Sequence, residues 1–100
     1  MLYNKLVRDN IPDYIQAKGQ KVSFHVAEAE EYNQKLLAKL SEEAEELILE
    51  PKPEEIADVL EVLEVIVELK NYDWAEIKQI KEKKKQERGG FSKRIILEES

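Results

Sequence analysis

Cysteine is absent from this chain, which excludes disulfide cross-links, thiolate metal sites and cysteine nucleophiles. The single histidine, His25, cannot supply a histidine-built metal site or a catalytic triad within one chain. Its alternation with Phe24 and Val26 reads as the surface side of a short extended segment. The three glycines match no phosphate-binding or dinucleotide-binding pattern. The serines lie in no Gly-x-Ser-x-Gly elbow. Long apolar runs are also missing. No stretch approaches a membrane span, and Met1–Lys5 is not followed by the apolar segment of a signal peptide, so a cytoplasmic protein without a membrane partner is expected. Positive charge is in deficit, with 16 Lys and Arg against 22 Asp and Glu. The net charge of −6 argues against binding a nucleic-acid polymer through a basic surface.

What remains is a chain of 100 residues, expected to form a single helical domain over 1–100 whose core is marginal without help. Asn10 is placed to cap a short helix that has Pro12 in its first turn and stops at Gly19. Lys21–Val26 alternates as a short strand would. A long helix is expected from about residue 28 to Leu49. A second, strongly apolar helix runs from Pro53 to about Lys70, and a third starts at Asp73 with Glu76 in a capping-box-like arrangement and reaches Arg88. Gly89-Gly90 breaks the chain, and Phe91–Leu97 reads as extended. The expected architecture is therefore an all-α antiparallel helix bundle, with residues 21–26 and 91–97 pairing as a small two-stranded ribbon.

The informative residues flank the break at Glu50-Pro51-Lys52-Pro53. Proline lacks an amide donor and disfavours helical geometry in the residue before it, so the two long helices become antiparallel neighbours. At 100° per residue, Glu61, Glu64 and Glu68 form one polar strip on the second of them, whereas Glu55 and Asp58 align with Val62, Val65 and Leu69. On the first, Glu43 borders the stripe of Leu36, Leu40 and Leu47, and Glu46 lies one step further round. A rise of about 1.5 Å per residue sets Glu46 level with Glu55, and Glu43 level with Asp58 one turn further on. With 18 glutamates, one Glu-Glu-x-x-Glu string is unremarkable and a solvated face is its ordinary meaning. Two acidic i,i+3 pairs in matching register across a proline turn are less ordinary. Charges of one sign turned toward a core need a partner, and four carboxylates make an oxygen box suited to Mg²⁺, with Mn²⁺ as substitute.

A second constellation follows Trp74, Ile77 and Ile80, where the same helix face continues into Lys81, Lys84 and Arg88. This end is either a solvated helix terminus or a basic rim for phosphates. Lys5 and Arg8 before the first helix, and Lys93 and Arg94 after the glycines, are further phosphate candidates.

The stretch Lys39-Leu40-Ser41-Glu42-Glu43-Ala44-Glu45-Glu46-Leu47, followed by Glu54-Glu55-Ile56-Ala57-Asp58-Val59-Leu60, resembles the Glu-Glu-x-x-Glu … Glu-x-x-Asp signature of the MazG-like all-α nucleoside triphosphate pyrophosphohydrolases. The opening Tyr3–Pro12 and the ending Arg88-Gly89-Gly90-Phe91 resemble their phosphoribosyl-ATP pyrophosphohydrolase-like branch, although the spacer from Glu46 to Glu55 is shorter than in many members. The resemblance implies hydrolysis of a nucleoside triphosphate to a monophosphate and pyrophosphate in a housekeeping role. It also implies Glu43, Glu46, Glu55 and Asp58 as Mg²⁺ ligands, and Glu42 as the residue that orients or deprotonates the attacking water. The alternatives are a phosphoribosyl-ATP pyrophosphohydrolase of histidine biosynthesis and a non-catalytic helical oligomerisation or adaptor module. The apolar arc of residues 56–69 is wider than one antiparallel neighbour covers, so a homodimer or higher homo-oligomer is expected.

Overall fold

Proline decides where the longest helix stops. The computed structural model, which describes residues 3–100, is all-α, with helices α1 (Ile11–Ala17), α2 (Ala29–Leu49), α3 (Pro53–Leu69) and α4 (Trp74–Arg88). Glu50 leaves helical geometry at φ −146°, its N–H still donating to the Glu46 carbonyl at 3.0 Å. The Lys52 carbonyl then accepts from the N–H groups of Glu55 and Ile56, starting α3 with Pro53 in its first turn. The short link folds α3 back along α2, as the meeting of Glu43 with Glu55 and Asp58 requires.

The chain divides into two compact units, one through Ile66 and one from Val67 onward. In the first, Leu36 of α2 and Val62 of α3 are buried, and Leu36 is 2% exposed. Burying such a side chain contributes roughly 1.5–3 kcal/mol. The charged Glu43, 7% exposed, is buried with them. At the other end of this unit, α1 is a single short helix with Pro12 in its first turn, closed by Gly19 at φ +78°. Asn10 precedes it, but its side chain makes no capping bond.

In the second unit, Asp73 caps α4 as its position before Trp74 implies, its Oδ1 accepting from the Ala75 N–H at 2.9 Å. Gly89, at φ +83°, ends the helix in a conformation costly for other residues.

The expected two-stranded ribbon does not form. Residues 21–26 and 91–97 have no strand geometry, and no strand occurs among the described residues. Phe24 and Val26 are exposed, as are Ile95, Ile96 and Leu97. A lone two-stranded ribbon without an apolar face to bury is marginal, and alternation alone does not supply that face.

Candidate metal centre

The antiparallel register of α2 and α3 sets carboxylates from both helices against one another. Each of Glu43, Glu55 and Asp58 offers an oxygen, and the three oxygens lie within 4.8 Å of one another. Glu43 Oε2 and Glu55 Oε2 are buried and have no hydrogen-bond partner. A buried carboxylate oxygen is costly unless something neutralises it, and a cation held by the trio would do so. An all-oxygen donor set drawn from two helices suits a hard divalent ion that keeps part of its water shell. The three residues could therefore hold a divalent metal ion.

Glu46, the fourth ligand inferred from sequence, is exposed and stands outside that trio. It remains electrostatically part of the site. The Glu43 charge, then desolvation, a side-chain hydrogen bond with Glu43 and the charges of Glu55 and Glu42 raise its pKa above the ordinary glutamate value.

Cations already line the cluster. Lys39, one turn before Glu43 on α2, is mostly buried and places Nζ 3.2 Å from Glu43 and 3.3 Å from Glu42. Its role was not read from the sequence, although the Lys39–Glu43 spacing of i,i+4 is the available signal. The segment preceding α1 supplies two more. Lys5 Nζ donates to Glu42 Oε1 at 2.8 Å, and Arg8 donates to Asp58 Oδ1 at 2.9 Å. The Lys5 hydrogen bond holds the Glu42 pKa below its usual value and, reciprocally, raises that of Lys5. Lys5 also lies 5.6 Å from the centre of the Tyr3 ring. Asn4, Lys5 and Leu6 line a crevice of about 70 Å³ against Ala38, Lys39 and Glu42, so this segment runs along α2 before Arg8 reaches α3.

Lys81, Lys84, Arg88, Lys93 and Arg94 all belong to the second unit and are exposed. Within the first unit, Lys5 and Arg8 pair with Glu42 and Asp58. A broader open concavity, about 490 Å³, lies elsewhere, where His25 faces Glu31 at 2.8 Å. Among the described residues it holds no group of three potential metal ligands.

Compared with family models, curated proteins and solved structures, the chain gives no match. The functional reading therefore rests on the residues themselves.

Proposed function

We propose that the protein is a Mg²⁺-dependent nucleoside triphosphate pyrophosphohydrolase, cleaving between the α- and β-phosphates to give a nucleoside monophosphate and pyrophosphate. The observation that supports this is the convergence of Glu43, Glu55 and Asp58 with two buried, unpartnered oxygens. These three residues would hold Mg²⁺, with Glu46 at the margin. When bound, the ion neutralises phosphate charge and makes the phosphorus more electrophilic.

The chain's own groups provide the rest. Glu42 is held ionised by Lys5 and Lys39, and accepts a hydrogen bond from the attacking water, fixing its approach to the α-phosphorus. Its lowered pKa makes it a weak base, so orientation is its main contribution. Lys5 and Arg8 bind oxygens of the departing pyrophosphate as the P–O bond to the β-phosphate breaks, with Arg8 suited to bidentate contact. The same reading places the enzyme in the cytoplasm, where nucleotides are made.

The deciding experiment is a pyrophosphate-release assay over canonical and damaged nucleotides and phosphoribosyl-ATP, with and without Mg²⁺. Release that requires Mg²⁺ and is lost in Glu55→Gln is expected, and selective turnover of phosphoribosyl-ATP would assign the enzyme to histidine biosynthesis. No release from any substrate would leave the adaptor reading. One observation favours an interaction role alongside catalysis: Ile56 and Leu60 of α3 are each about half exposed, an apolar surface that a second copy of the chain can cover.

A further inference from the structure

Asp58 serves two masters in this structure. It belongs to the carboxylate trio, and its Oδ1 is held by Arg8 from a segment 50 residues away in sequence. The same segment is fastened to α2 by Lys5 on Glu42. Residues 3–8 thus span the two helices that form the acidic site, with one cation at each. The Arg8–Asp58 pair is more than one-third exposed on both sides, and such pairs are weak enough to exchange. Glu43 differs, since its counter-ion Lys39 is mostly buried and lies on the same helix.

A dication bound by Glu43, Glu55 and Asp58 would place a second positive charge beside the guanidinium. Like charges sharing one carboxylate repel, and the more mobile of the two leaves. We propose that Arg8 is the exchangeable counter-ion of Asp58: a divalent cation binding at the trio displaces it, and the freed guanidinium binds a phosphate group of the anionic ligand. This rests on the metal-centre reading and assigns the order of events at that site. Arg8 is a positioning residue for the empty carboxylate and a ligand-binding residue afterwards. Its two roles have opposite signs, because it opposes the cation and favours the anion.

The opposite signs make the test specific. Mn²⁺ binding to the full chain, without nucleotide, is measured by titration with paramagnetic detection for wild type, Arg8→Ala and Arg8→Lys. Pyrophosphate binding is then measured by calorimetry at saturating Mn²⁺. Arg8→Ala should bind Mn²⁺ about two- to fivefold more tightly, the range set by the strength of exposed ion pairs. It should bind pyrophosphate about tenfold or more weakly, as expected for loss of a charge-assisted contact. Arg8→Lys should fall between wild type and Arg8→Ala in both. Should Arg8→Ala fail to fold by circular dichroism, Arg8→Gln takes its place with the same expected directions. Mn²⁺ affinity unchanged or weakened on losing the guanidinium, or unchanged pyrophosphate affinity, overturns the exchange while leaving the metal centre intact. Absence of saturable Mn²⁺ binding in wild type overturns both.

Discussion

Glu43 shows how one residue can be both expensive and informative. It is almost fully buried, shares Lys39 with Glu42, and keeps one oxygen without a partner. Its charge is the largest cause of the raised pKa of Glu46. The consequence for stability has a definite sign. In the unfolded chain Glu46 titrates near the ordinary value of 4.5. A raised folded-state pKa means the native state holds its proton more tightly, so this contribution is full below 4.5 and is lost as pH rises through the folded value. Glu42 acts oppositely: its lowered pKa contributes stability present above 4.5 and lost as pH falls through the folded value. Glu46→Gln isolates the first effect. Relative to wild type without divalent ions, its melting temperature should rise progressively above pH 4.5 and level off once the wild-type Glu46 is ionised. A difference between the two proteins that is flat across that range refutes the repulsive cluster.

At the scale of elements, the helix boundaries were legible because single residues enforce them. Pro51 and Pro53 stop α2 and start α3, Asp73 caps α4, and Gly89 releases it. The strand expected at 21–26 does not form because three alternating apolar residues specify a face only when something covers it, and Phe24 and Val26 are exposed. The site was partly legible for a similar reason. Helical phase placed Glu43, Glu55 and Asp58 on facing arcs, but periodicity alone does not fix how far each helix is rotated about its axis. That rotation turns Glu43 inward and leaves Glu46 outside. The pairings of Lys5 with Glu42 and Arg8 with Asp58 span 37 and 50 residues with no periodic relation to reveal them.

For the whole molecule, the apolar arc of α3 resolves into two sets. Val62 is buried within the chain and maintains its own core, so a charge there would harm folding itself. Ile56, Leu60 and Leu69 are exposed, and Ile56 and Leu60, each about half exposed, are the better candidates for contact between copies. Leu60→Asp should therefore reduce the sedimentation coefficient from that of an oligomer to that of a monomer, with helical circular dichroism retained at low temperature. A wild type that already sediments as a monomer at micromolar concentration removes the basis for a homo-oligomer. Among the described residues no helix is long and apolar enough to cross a membrane.

The tight link Glu50-Pro51-Lys52 has a kinetic meaning as well. It joins the two contributors to the carboxylate trio through a short stretch of chain, so the loop-closure entropy of bringing them together is small. Contacts of low sequence separation form early in folding. The like charges therefore meet near the start of the folding reaction, and their repulsion belongs to the barrier as well as to the final state. A divalent cation should accelerate refolding in stopped-flow measurements, and Glu55→Gln should refold faster than wild type when none is added. If the cation slows unfolding alone, the hairpin closes only after the barrier has been crossed.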